Sequence, residues 1–125
     1  MSQKLALVTG GTKGIGLEVV KGLLKENYKV VVIGRDNTNI EKINNDNDIN
    51  KIEFIYCDLS ETNKVKELIP KLKNFDKIDL LINNAGAIFM HRQINFSGIE
   101  KTFALNYLSH FQITIGIQSK NVYIK

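Results

Sequence analysis

The run Lys4-Leu5-Ala6-Leu7-Val8 passes directly into Thr9-Gly10-Gly11-Thr12-Lys13-Gly14-Ile15-Gly16, and this junction limits the fold more than any other stretch of the chain. The aliphatic run reads as a buried strand, Leu5–Val8. Glycines at 10, 14 and 16 let the backbone turn tightly and approach a pyrophosphate without Cβ clashes. Beyond them Ile15, Val19, Val20, Leu23 and Leu24 recur at helical spacing, so a helix from Gly14 to Glu26 is expected to bury that face. A strand, a glycine-rich turn and a helix N-terminus make a phosphate-binding unit, because free N–H groups and the positive end of the helix dipole hold the anion. The glycine spacing is G-x-x-x-G-x-G, not the broader G-x-G-x-x-G.

The same alternation continues along the chain. Lys29–Ile33 is expected to be the second strand, Asn37–Asn47 a short polar helix, and Ile52–Cys57 the third strand. The run Asn44-Asn45-Asp46-Asn47-Asp48 reads as an exposed, mobile connection. Ser60 is placed to cap the third helix, with Val65, Leu68, Ile69 and Leu72 inside and Pro70 positioned to kink or shorten it. Ile78–Asn83 reads as strand four, Asn84–Ser97 as a loop, and Gly98–Ile117 as a long helix. The tail, Gln118–Lys125, leaves two readings open: the start of a fifth strand at Lys120–Lys125, or unrelated sequence. Strands separated by helices require right-handed crossovers and hence a parallel sheet. The expected fold is therefore α/β and Rossmann-like, with strand order 3-2-1-4 and helices on both faces.

A length of 125 residues allows one domain. The net charge of +4 is spread as solvated lysines, without the basic clusters and interleaved aromatics of a nucleic-acid binder. Cys57 is the single cysteine and reads as an inert strand-end thiol, which excludes a disulfide framework. His91 and His110 have no ligand-spaced partners and read as surface or packing residues, so no metal site is expected. Glu61 and Glu67 read as ordinary helix charges. No run reaches a membrane span and no leader is visible, so a cytoplasmic protein is expected.

Three strand ends carry candidate chemistry. After strand two, Gly34 stands where an acid would hold the adenosine ribose hydroxyls, and Arg35 follows it. Arginine pairs bidentately with a 2′-phosphate and Lys13 adds a second cation, so NADP is favoured over NAD. Asp36 dissents unless it serves as a helix cap. After strand three comes Asp58-Leu59, and after strand four Asn83-Asn84-Ala85-Gly86, both at the carboxyl edge where ligands bind in open α/β sheets. The asparagine amides suit tying strand ends together or meeting a ligand.

On these motifs, with Asn106 on the long helix, the chain resembles the short-chain dehydrogenase/reductase family over about residues 4–117. The segment Lys101–Phe111 is similar to the retinol-dehydrogenase-like or carbonyl-reductase-like branch. The resemblance implies an NAD(P)-binding Rossmann-like domain over residues 1–125, the N-terminal part only, and NADP-dependent hydride transfer between nicotinamide and a carbonyl or alcohol. It implies that Gly10, Thr12, Lys13, Gly14, Ile15 and Gly16 line the pyrophosphate, with Arg35 and Lys13 favouring NADP. Asp58 and Leu59 would meet the adenine, Asn84, Ala85 and Gly86 would lie along the cofactor, and Asn106 would support a proton-relay water. The family's catalytic Tyr-x-x-x-Lys is absent, since none of Tyr28, Tyr56, Tyr107 and Tyr123 has a lysine four residues on, and Ser119 comes too early for the catalytic serine. The chain alone is therefore expected to be inactive, as a truncated enzyme. The alternatives are a non-catalytic nucleotide-binding or interaction module, or a fragment completed by a second chain. Self-association is expected through the long helix or an open sheet edge, since Ile99, Phe103, Leu105, Leu108, Phe111, Ile113, Ile115 and Ile117 exceed one apolar stripe.

Overall fold

The structure, a computed structural model, describes residues 3–46, 52–118 and 123–125. Asn47 and Asp48 of the expected connection, and Ser119, lie outside the described residues. The elements alternate as the sequence requires: β1 Leu5–Thr9, α1 Gly14–Lys25, β2 Lys29–Gly34, α2 Thr38–Asn45, β3 Glu53–Tyr56, α3 Thr62–Lys73 and β4 Leu80–Asn83. A final helix, α4, runs through residues 101–116 and contains a π turn at Ala104–Leu108; β5 is Tyr123–Ile124.

The sheet order is β3-β2-β1-β4-β5, and all pairs are parallel. The expected 3-2-1-4 order is thus present, and of the two readings of the tail the strand is the one found. Tyr123 and Ile124 pair with Leu80 and Leu81, and the Asn83 N–H donates to the Lys125 carbonyl at 3.1 Å. The chain runs outward from β1 through β2 to β3 and then returns to place β4 on the other side of β1, and this reversal opens a crevice at the carboxyl ends of β1 and β4. Register aligns those ends: Thr9 lies opposite Ile33 and Asn83.

Period-two alternation divides the strand side chains between two cores. Leu5, Leu7, Val31, Ile33 and Leu81 pack with Val65, Leu68 and Leu72 of α3 and with Ile113 of α4. Val8, Val30 and Val32 pack on the opposite face with Val20 of α1 and Ile40 of α2. Both faces are covered, which is why the strands read as continuous apolar runs rather than alternating ones.

The structure corrects several sequence expectations. Ser60 does not cap α3: Glu61 holds the N-cap position, and the Ser60 hydroxyl donates to Asp58 Oδ1 at 2.7 Å. Pro70 does not stop the helix, which continues to Lys73. Glu61 is not a surface charge; it is buried, accepts from the Phe96 N–H at 2.9 Å and lies 3.7 Å from Lys101 Nζ. Glu67 does lie at the surface, 3.5 Å from Lys64. Ile15 leaves the buried face of α1 and is 79% exposed. The last helix begins at Lys101, not Gly98, because Gly98 turns with φ +80° and the Glu100 carboxylate caps the Thr102 and Phe103 N–H groups.

Candidate functional site

A cleft of about 430 Å³ lies along the carboxyl edge of the sheet, over the β1–α1 turn. Gly10 and Gly14 take φ of +70° and +58°, the left-handed region that suits glycine. A Cβ on Gly10 would meet the Ala85 backbone at 2.7 Å, and one on Gly16 would collide with the Gly10 carbonyl oxygen and Asn84 Nδ2. The turn is therefore pressed against the loop after β4, and only glycine permits that approach. At Gly14 a Cβ would meet nothing within 4 Å, so this position faces open space in the cleft.

The start of α1 is left open to a ligand. Its N-cap, Lys13, provides no side-chain acceptor, and its first turn contains no acid. This contrasts with α4, whose first N–H groups are satisfied by Glu100. The first-turn N–H groups and dipole of α1 therefore favour an anion. Thr12, Lys13 and Ile15 border the same space, and Asn39 of α2 donates to the Thr12 carbonyl at 2.9 Å, fixing the turn from behind.

Gly34 and Arg35 lie at one end of the cleft. A Cβ on Gly34 would come within 3.0 Å of Thr12 Cγ2, so the position is tight for a carboxylate side chain. Asp36 also borders the cleft, but its Oδ1 accepts from the Thr38 hydroxyl at 2.7 Å and the Thr38 N–H at 2.9 Å. The Thr38 hydroxyl and then its amide hold the Asp36 carboxyl below its ordinary pKa. Asp36 thus works as a turn-forming acceptor just before α2.

Beneath β3, Cys57 and Leu59 contribute to the cleft wall, while Asp58 turns aside and accepts from Ser60 N–H at 3.0 Å. Burial, reinforced by Asp58, pushes the Cys57 thiol up to about 11, so it is a neutral wall rather than a nucleophile.

The loop after β4 closes the other end of the cleft with Asn84, Ala85, Gly86 and Ala87. Buried Thr9 accepts from the N–H groups of Asn84 and Ala85, both at 3.1 Å, and Asn84 Nδ2 donates to the Gly10 carbonyl at 3.1 Å. From the π turn of α4, Asn106 grips the Ala87 backbone twice: Oδ1 accepts from its N–H at 2.8 Å and Nδ2 donates to its carbonyl at 2.7 Å. His110 Nε2 lies 2.8 Å from the Ala85 carbonyl. A carbonyl only accepts, so Nε2 donates.

The expected residues from the glycine turn, β2 and β4 therefore meet in one cleft, and Asn106 reaches it by holding its loop. Asp58 sits beside the cleft rather than on its lining. Sequence reading missed Thr9, His110 and the wall residue Leu105. The spacing from Asn106 to His110, one helical turn, was the one local signal. Among the described residues no cluster of His, Cys, Asp or Glu suits a metal ion.

The groups present fit a dinucleotide: an open helix N-terminus for a pyrophosphate, the cations Lys13 in the turn and Arg35 beyond β2, and a side-chain-braced loop at the switch point. The family model described as short chain dehydrogenase matches residues 4–119. Human polyprenol dehydrogenase is 37% identical over 117 residues, covering 89% of this chain and 35% of that protein. Short-chain dehydrogenase TIC 32 A, chloroplastic, from Brassica napus is 34% identical over 114 residues, 87% of this chain and 36% of that protein. The solved Pseudomonas aeruginosa RhlG/NADP active-site complex superposes with a TM-score of 0.73 at 28% identity, covering 96% of this chain and 48% of that chain. The chain spans about a third of the length of the curated relatives it matches. Motifs, sheet order and the match over residues 4–119 together show that the chain belongs to the short-chain dehydrogenase family.

Proposed function

We propose that this chain is the cofactor-binding portion of an NADP-dependent oxidoreductase acting on a carbonyl or alcohol. When bound, the nicotinamide gives or takes the hydride. This chain's residues bind and orient that group. The first turn of α1 receives the pyrophosphate, and Arg35 with Lys13 receives the 2′-phosphate. Leu59 borders the adenine from the cleft wall, Asp58 approaches it from beside the cleft through Oδ2, the oxygen not engaged by Ser60, and Asn84 to Ala87 flank the nicotinamide end. Asn106 is the one member of the family's catalytic set found in these residues. Its amide is engaged with Ala87 through both polar atoms, so its side chain acts by fixing the loop after β4.

The choice of nucleotide rests on three neighbouring residues. The ribose-anchor position is a glycine tight against Thr12, Arg35 borders the cleft, and the nearest acid, Asp36, is engaged by Thr38. An exposed acid facing the ribose would have favoured NAD; here the cations favour the extra phosphate. The similar Pseudomonas aeruginosa RhlG structure is a complex with NADP, which supports this reading. A non-catalytic nucleotide-binding or interaction module is the second reading, which the cofactor cleft alone would equally serve. No described helix is long and apolar enough to cross a membrane. A relative designated chloroplastic shows that family membership alone does not select a compartment.

Calorimetric titration of the chain with NADPH and NADH tests the proposal. Tighter binding of NADPH is expected. Equal affinities would overturn the NADP assignment, and binding of neither would overturn the cofactor role.

A further inference from the structure

Three polar residues one turn apart on α4 contact three alternate residues at the end of β4. Asn106 holds Ala87, His110 holds Ala85 at 2.8 Å, and Thr114 Oγ1 accepts from Asn83 Nδ2 at 3.1 Å. The spacings match physically. Four helical residues rise about 6 Å, and two extended residues span about 6.6–6.8 Å. As the helix number rises by four, the loop number falls by two, so the two segments run antiparallel with matched repeats. On its other side the same segment is held by Thr9 and by the contact of Asn84 with the glycine turn. The backbone from Asn84 to Ala87 belongs to no strand or helix, so side chains take over part of the task of satisfying it.

Resting on the cofactor reading above, we propose that His110 is a positioning residue for the nicotinamide end of the nucleotide, the central rung of an Asn106–His110–Thr114 ladder. The Ala85 carbonyl is the point at which the loop would otherwise rotate. Ala85 lines the cleft and presses on Gly10, so rotation there moves the cleft wall and loosens its contact with the glycine turn. The adenine end lies across the switch point, beyond β2, where none of the three rungs makes a hydrogen bond; α4 touches the nearby β3–α3 turn only through other residues, Lys101 and Gln112. Loss of His110 therefore acts unequally along the ligand. A residue needed only for general packing would weaken both ends alike.

The test compares NADPH with adenosine 2′,5′-bisphosphate, which carries the adenine end alone, on the 125-residue chain. His110→Ala removes the donor, His110→Phe removes it while keeping ring volume, and His110→Gln restores an amide donor. For Ala and Phe we expect NADPH affinity to fall about tenfold, the effect of losing one part-buried hydrogen bond, with the bisphosphate unchanged within about twofold. Gln is expected to bind NADPH within about threefold of the parent chain. Equal losses for both ligands, no loss for NADPH, or a tenfold loss in the Gln variant would overturn the ladder. Should Ala not fold, Phe and Gln still decide. Failure of the parent chain to bind NADPH would overturn the cofactor reading itself and this inference with it, whereas normal parent binding with unaffected variants would overturn this inference alone.

Discussion

Arg35 carries the proposed preference for a 2′-phosphate, and its neighbours make that role specific. Gly34 is tight against Thr12, and Thr38 engages one carboxylate oxygen of Asp36, so Arg35 is the cation between β2 and α2 that borders the cleft. Replacing Arg35 with Ala is expected to narrow the gap between NADPH and NADH by about 1–3 kcal/mol, the range for a charge-assisted hydrogen bond. Paired calorimetric titrations check this, and an unchanged gap would move the recognition to Lys13. These residues were legible because an acid, a glycine or an arginine at a strand end each has a distinct chemical meaning. Ser60, Glu61 and His110 were not. Glu61 is fixed by Phe96 and Lys101, and His110 by Ala85, all far along the chain or on another element. A local pattern holds no trace of such partners.

At the scale of elements, the glycine turn is where sequence and geometry agree most closely. Gly16 and Gly22 lie in the same helix and are expected to respond oppositely to alanine. A Cβ at Gly16 would collide with Gly10 and Asn84, whereas one at Gly22 would meet nothing within 4 Å. Gly16→Ala is expected to destabilise the chain by about 1–3 kcal/mol, as overpacking does, and to abolish nucleotide binding. Gly22→Ala is expected to stabilise it by about 0.4–1 kcal/mol by restricting the unfolded chain. Urea melts with NADPH titration check both. Element types were readable from periodicity, but boundaries shifted by a few residues wherever capping competed with pattern. Glu100 starts α4 later than its apolar run suggests, because its carboxylate satisfies two N–H groups. The π turn at Ala104–Leu108 was not readable at all. It inserts no unusual residue, and its sequence is compatible with a plain helix.

For the whole molecule, the 3-2-1-4 order followed from alternating strands and helices together with right-handed crossovers. The fifth strand did not, because two paired residues carry too little pattern. Helix α4 buries Ile113 and contacts the core beyond its end through Ile117, but exposes Phe103, Tyr107, Phe111 and Ile115, each one turn from the next, with the Phe103 and Tyr107 rings stacked at 5.2 Å. Such a stripe favours self-association. Size-exclusion chromatography with light scattering is expected to show an oligomer that Phe111→Glu converts to monomer, and a monomeric parent chain would contradict this. The purified chain is also expected to reduce no carbonyl with NADPH above buffer, since general acid catalysis is worth about 10²–10⁴-fold and the tyrosine–lysine pair is not among its residues. Turnover that survives removal of host enzymes would contradict that expectation. The β1–α1 turn, the end of β2 and the loop after β4 are proposed to form one dinucleotide site, and the predictions about nucleotide affinity depend on it. Amide chemical-shift mapping of the isotopically labelled chain during NADPH addition tests it most directly. Saturable shifts concentrated at Gly14, Gly16, Arg35, Asn84, Gly86 and Ala87 are the predicted result. Shifts absent there, or confined to the opposite edge of the sheet around Leu5 and Asp79, would contradict it.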